Sequence, residues 1–375
     1  MKRMYPKTVN TFSAILLLIG ILLICLSACG ENASRHEQDK PAGDSGERQD
    51  TSYLSITYGR DNSDNFTGRE MLFYTYDLAE KQLTEEAIIP FDAKYASGVV
   101  SKADQKVYYS RRAEPENINA NDSLCAYDMR TGETAVLETE NSSYNEITML
   151  DADTLLVMAV TKEHPIMPAR FDLRTRTFTY LPEKNNEPIT LYTSNDSPIN
   201  YNYRTKSFIT IYQNEEEKIS PAYHAFEAEI NTYIALIDRD LTKTHVFPVS
   251  LLLGQFIDDA VQISENELLV ERTDDIFNDA TGELITERRF YSLIFNADGT
   301  ATFTPTEPPF PVEKVRKHGY RTVDGGKTWY LILGDKGDAD GGLYTYDSET
   351  KELTPIILND PAVEGYVINF SIVGP

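Results

Sequence analysis

The apolar and polar positions of this chain repeat one hairpin pattern six times. A short run rich in Tyr, Phe, Leu or Ile ends in Asp or Asn, a few polar residues follow, and a second β-prone run begins. The copies pass through Tyr74-Thr75-Tyr76-Asp77, Ala126-Tyr127-Asp128, Arg170-Phe171-Asp172, Leu236-Ile237-Asp238, Ile294-Phe295-Asn296 and Thr345-Tyr346-Asp347. Aromatic and branched residues fit a pleated, half-buried surface. A terminal Asp or Asn accepts hydrogen bonds from backbone N–H groups two residues on, which opens a turn. The stretches Arg130-Thr131-Gly132, Ala297-Asp298-Gly299 and Ser348-Glu349-Thr350 that follow are turn chemistry as well.

Successive Asp or Asn positions are 44 to 66 residues apart, a spacing typical of propellers and solenoids. The intervals carry no 3.6-residue apolar period, which argues against solenoid helices. They carry further β-like runs instead: 96–100 with 106–110, 146–150 with 154–160, and 260–263 with 267–271. About four strands per repeat is the content of one propeller blade. A single strand, 53–58, precedes the first hairpin, and a single strand, 366–373, follows the last. A blade built from that last strand and the first three would close the ring and leave no open edge. The pattern therefore predicts an all-β, six-bladed β-propeller over residues 53–375. A seventh blade would need a repeat that the chain does not show.

The first 28 residues are different material. Lys2, Arg3 and Lys7 form a basic head, an apolar run spans 14–26, and Leu26-Ser27-Ala28-Cys29 follows, the layout of an export signal. The last four residues resemble the lipobox of bacterial lipoproteins. The resemblance implies a signal peptide at 1–28 and cleavage before Cys29. The Cys29 sulfur would take diacylglycerol and its amine would usually be acylated. That places the protein at the cell membrane, lipid-anchored on the extracytoplasmic face. An uncleaved anchor over 9–28 is long enough to span a bilayer and would give the same address. Residues 29–52 hold no large apolar side chain, so a flexible tether is expected, with a reach of about 25 Å. Cys25 leaves with the leader and Cys29 is lipidated, so Cys125 stands alone as a buried, inert thiol.

The formal net charge is −24, and Lys2, Arg3 and Lys7 would depart with the leader. A surface this acidic repels nucleic acid and anionic lipid, and excludes nucleic acid as a partner. The longest interval holds 215–226, where Ser220-Pro221 reads as a helix start. Acid-rich 274–283 reads as a solvated loop without EF-hand spacing, and 334–342, with Asp335, Asp338 and Asp340, as a Gly-Asp turn between strands. Thr322-Val323-Asp324-Gly325-Gly326-Lys327-Thr328-Trp329 resembles the Asp-box of sialidases and related propellers, which in that family is a structural hairpin. His36, His164, His224, His245 and His318 lack metal-ligand spacing, and no G-x-S-x-G elbow, P-loop or dinucleotide fingerprint occurs. The sequence singles out no catalytic residue, cofactor or metal site, and its Tyr residues read as strand material.

The hairpin-and-blade pattern resembles TolB-like exported six-bladed propellers across 53–375. The resemblance implies a non-catalytic propeller on a lipid tether that binds a protein, peptide or envelope glycan. The alternative is a carboxylate-dependent glycosidase or lyase acting on envelope glycans at the central mouth of the ring. A sensor or accessory subunit of a larger membrane complex is a third reading. Two acids clustered in a deep central pocket would favour the enzyme, and an aromatic or apolar rim patch without such a pair would favour the binding module.

Overall fold

The computed structural model describes residues 52–61, 69–114, 117, 119–161, 166–181, 191–192, 199–213, 230–252, 254–278 and 283–375. The expectations for the leader, Cys29, the tether up to 51 and the helix start at Ser220-Pro221 lie outside them. No helix among the described residues is long and apolar enough to cross a membrane.

Six four-stranded antiparallel sheets follow one another along the chain. The first contains β1 (Tyr53–Asp61), β2 (Arg69–Asp77) and β3 (Leu83–Pro90). The second contains β4 (Gly98–Ser101), β5 (Lys106–Arg112), β6 (Asp122–Asp128) and β7 (Thr134–Glu138). The third is β8 (Ser143–Asp151), β9 (Thr154–Val160), β10 (Met167–Asp172) and β11 (Thr177–Tyr180). The fourth is β12 (Leu191–Tyr192), β13 (Ser207–Gln213), β14 (Ile230–Asp238) and β15 (Lys243–Leu251). The fifth is β16 (Gln255–Gln262), β17 (Glu267–Asn278), β18 (Glu283–Phe295) and β19 (Ala301–Thr306). The sixth is β20 (Val315–Arg321), β21 (Thr328–Leu333), β22 (Gly342–Asp347) and β23 (Leu353–Leu358). The last strand, β24 (Tyr366–Val373), pairs with β1 and completes the first sheet in the order β24-β1-β2-β3. The ring closes as the terminal strands predict, and β24 takes the innermost position of its blade.

The repeated Asp is the hinge from the third to the fourth strand of each blade. Asp77 Oδ1 accepts from the N–H groups of Ala79 and Glu80, each at 2.9 Å. Asp128, Asp172 and Asp347 do the same for the N–H groups two and three residues on, and Asp238 for those two and four residues on. Asn296 departs from this: its amide donates to Thr300 Oγ1 at 3.0 Å and its carbonyl accepts from Gly299. The Asp-box stretch is the turn from β20 to β21. Thr328 N–H donates to Asp324 Oδ1 at 3.0 Å, Gly326 N–H to Thr322 Oγ1, and the Trp329 indole to the Gly326 carbonyl. It is a structural hairpin here too, and it seats Trp329, with no exposure, against Phe310 and Tyr320.

The reading of 274–283 as a solvated loop is corrected. Residues 274–278 extend β17, and Glu283 opens β18. The acids do not repel the strand because cations answer them. Asp274 is buried and lies against both Arg272 and Arg289, at 2.8 and 3.1 Å. Residues 334–342 do form a turn, where Asp335 N–H donates to Asp338 Oδ2. Cys125 is fully buried, and burial raises its thiol to about 11, so it is inert.

The apolar core lies between blades. One cluster joins Val99 and Leu124 of the second blade to Ile147 and Val157 of the third, and another joins Ile209 and Ile234 of the fourth to Val270 and Leu293 of the fifth. Burial of facing sheets drives this packing. Arg288 of β18 crosses to the sixth blade. It is paired with Glu271, whose side chain has no exposure, and donates to the Val315 carbonyl at 2.6 Å.

Candidate functional site on the propeller axis

The innermost strands surround the axis, and several carry charge where an apolar strand would be expected. In β8 the acid is Glu146, and in β16 it is Asp259. Both are almost wholly buried, 4% and 1% exposed. In β20 the cations are concentrated by a bulge. Val315 pairs with Leu333 and Tyr320 with Leu331, so 316–319 bow out opposite Ile332 alone. A bulge re-aims side chains in this way. His318, in the bulge, sits in the left-handed region at φ 59°.

Five blades meet through these groups. Asn369 of β24 donates to Glu146 at 3.4 Å, and Ile199 N–H donates to the other oxygen of that carboxylate. Asn200 donates to Asp259 Oδ1 at 2.7 Å, as does Ala260 N–H at 2.8 Å. Arg321 lies 3.7 Å and His318 3.9 Å from Asp259 Oδ2, too far for direct hydrogen bonds. Arg321 donates to the His318 carbonyl at 3.0 Å, which ties the bulge to the strand end. From the same bulge Arg316 reaches the carbonyls of Val367 and Ile368, and Lys317 pairs with Asp258 at 3.2 Å.

Four buried polar atoms of this cluster have no hydrogen-bond partner among the described residues: Asp259 Oδ2, Asn200 Oδ1, His318 Nδ1 and Arg321 Nη2. Leaving such atoms unpaired is costly. The set offers two acceptors, a guanidinium donor and an imidazole nitrogen of either role, which complements a water or a hydroxyl group. Asn200 and Arg321 also line a cavity of about 20 Å³, enough for one water-sized group.

The electrostatics follow from burial. Desolvation raises the Glu146 and Asp259 carboxyls to about 7, against the pull of Arg321 on both. Each also feels a second acid: Glu146 feels Asp259, and Asp259 feels Glu271. Burial pushes His318 the other way, to about 4, so it is neutral at pH 7. Carboxyls poised near neutrality can both give and take a proton.

On the face where the innermost strands end, the axis opens into a mouth of about 750 Å³. Its lining includes Tyr53, Tyr201, Tyr203, Lys102, Lys206 and Arg239. Tyr201 lines both the mouth and the small cavity. Its hydroxyl donates to the Leu150 carbonyl at 3.3 Å.

Two buried acids are therefore brought together on the axis, and a tyrosine-lined mouth accompanies them, but neither acid lines the mouth or the small cavity. The sequence reading missed both. Its one available signal was an acid inside an otherwise β-prone run, as in Asn145-Glu146-Ile147 and Asp258-Asp259-Ala260-Val261. His318 was set aside for lack of metal spacing, yet it belongs to the cluster. No group of three or more metal-ligating side chains occurs among the described residues.

No family model matches the chain, and no curated protein matches it. Solved structures do. TolB from Acinetobacter baumannii is 12% identical, with a TM-score of 0.45, and the match covers 84% of this chain and 66% of TolB. An oligogalacturonate lyase from Vibrio parahaemolyticus is 13% identical at a TM-score of 0.40, over 81% of this chain and 78% of that one. A putative 6-phosphogluconolactonase from Bacteroides fragilis is 10% identical at 0.40, over 88% of this chain and 100% of that one. A shared fold does not fix a function.

Proposed function

We propose that this propeller acts on an envelope glycan at its axis by carboxylate acid–base chemistry, as a glycosidase or a lyase. One observation carries the reading. Two buried carboxyls from different blades, Glu146 and Asp259, are brought together on the axis, with Arg321 3.7 Å from Asp259, and burial raises both above the usual carboxylate range. Either chemistry needs one group to take a proton and one to give it, at neutral pH. In a lyase Arg321 would offset the negative charge that develops on the group losing its proton. The mouth would hold the sugar rings, and the 20 Å³ cavity has room for a single hydroxyl or water. Because neither acid lines the mouth, productive binding requires the residues between them to move, Tyr201, which lines both spaces, among them.

The test is turnover on a panel of envelope glycans, followed as new reducing ends for hydrolysis and as ultraviolet absorbance of a new C=C bond for elimination. Turnover in the parent and its loss in Glu146→Gln and Asp259→Asn, with glycan binding retained, supports the reading. Saturable binding without turnover in any variant would instead support a non-catalytic binding propeller. The near-complete burial of both acids is the observation that favours that second reading. The proposed address is the extracytoplasmic face of the membrane, held by lipid on Cys29, and its support is the Leu26-Ser27-Ala28-Cys29 motif.

A further inference from the structure

We infer that His318 is a proton relay between the buried carboxyl of Asp259 and solvent. This rests on the acid–base reading of the axis, in which Asp259 takes and gives a proton, and it names the group that connects that acid to water. The two oxygens of Asp259 differ. Oδ1 accepts from Asn200 and from Ala260 N–H, whereas Oδ2 is buried with no hydrogen-bond partner among the described residues. The imidazole of His318 stands opposite Oδ2, its Nδ1 3.9 Å away, and Nδ1 is buried and unpaired as well. Nε2 has no partner among the described residues either, yet it is not buried, and the His318 side chain keeps 16% of its exposure. One ring nitrogen therefore faces the acid and the other is open to solvent, the arrangement of a proton shuttle.

The backbone holds the ring there. His318 lies in the bulge of β20 at φ 59°, a conformation that costs free energy for any residue but glycine, and Arg321 anchors its carbonyl at 3.0 Å. The charges around the pair keep the imidazole neutral. Burial acts most strongly; Asp258, paired with Lys317 at 3.2 Å, pulls toward the imidazolium, and Arg321, Lys317 and Arg288 oppose it. On the acid, burial and Glu271 favour the proton and Arg321 disfavours it. With Asp259 protonated, the neutral ring carries its proton on Nε2, and Nδ1 is the acceptor. A ring movement of about 1 Å closes the gap to hydrogen-bond length. The Oδ2–H bond of Asp259 then breaks as Nδ1–H forms, and Nε2–H breaks as its proton passes to water. Asp259 is left a carboxylate, and the ring is again neutral, now protonated on Nδ1. Entry of a proton is the same sequence reversed.

The experiment is nitrogen NMR of the ring atoms in the full chain, isotope-labelled at histidine, on either side of pH 7, the value to which burial raises Asp259. The His318 signals are identified by their loss in His318→Asn, a substitution chosen because Asn tolerates a positive φ. Below the Asp259 titration the ring should carry its proton on Nε2 and above it on Nδ1, and Asp259→Asn should remove this change of tautomer. One tautomer throughout, or the same change in Asp259→Asn, would overturn the relay. A second measurement follows the infrared band of the protonated Asp259 carboxyl, identified by its loss in Asp259→Asn, after a jump to higher pH. His318→Asn should slow its disappearance at least about tenfold, and added imidazole should restore the rate. An unchanged rate, or a slowing that imidazole does not relieve, would overturn the relay too. Neither measurement involves a glycan, so absence of turnover counts against the acid–base reading alone, while a fixed tautomer counts against the relay alone.

Discussion

Arg288 and Glu271 allow a quantitative test of how the fifth and sixth blades are joined. Arg288→Met would leave a carboxylate with no side-chain exposure and no counter-charge, and would remove the donor to the Val315 carbonyl. Breaking a buried pair from one side costs about 3–5 kcal/mol, because the abandoned charge stays desolvated. Replacing both partners, as Glu271→Leu/Arg288→Met, removes the charge along with its partner and should recover most of that loss. Urea unfolding followed by tryptophan fluorescence suits the measurement. Trp329 is the only tryptophan, is fully buried, and packs 4.9 Å from Phe310 in the blade concerned. The expected order of midpoints is parent, double variant, single variant. A single variant as stable as the double one would show that Glu271 is not stranded, and the reasoning would fail.

Three further outcomes are expected. The axial acids should make the protein less stable as pH rises: their ordinary values are 3.8 and 4.5, and folding raises both to about 7. The folded state then holds the extra protons, so this contribution is complete below about pH 4 and is lost as pH climbs through 7. His318, lowered from 6.5 to about 4, has the opposite slope, its contribution being lost as pH falls through that interval. Thermal melts of Glu146→Gln/Asp259→Asn should therefore lose the part of the decline between about pH 5 and 7 that these two acids supply, relative to the parent. Gly342→Ala should destabilise by about 2–3 kcal/mol, since φ is 142° and a Cβ would stand 2.2 Å from the Ile357 carbonyl oxygen; denaturant melts with an unchanged midpoint would refute this. Cys29→Ala should abolish incorporation of labelled palmitate and release the protein from membranes, and continued labelling would reject the lipid anchor.

The ring was legible in the sequence because its information is local. Each Asp at the end of a third strand meets N–H groups two to four residues away, and the Thr322-to-Trp329 turn likewise closes on itself, so both can be read from a few consecutive letters. The extension of β17 was not legible, because Asp274 is neutralised by Arg289, on the neighbouring strand β18. From composition alone, an acid-rich stretch looks like a loop. The axial cluster was further out of reach. Glu146, Asn200, Asp259, Arg321 and Asn369 belong to five blades, and only the closing of the ring makes them neighbours. The bulge at 316–319 adds a displacement that no strand periodicity forecasts.

The closing strand also bears on how the molecule comes into being. Tyr53 pairs with Val373, so the first strand made waits for the last. Until 366–373 are delivered, β1 has a bare edge, and the axis lacks Asn369 and the carbonyls that Arg316 reaches. Contacts this distant along the chain are slow to form. A growing chain would thus stay incompletely folded until β24 is made. The same delay lets a protease distinguish a truncated chain from a finished one by its unprotected edge.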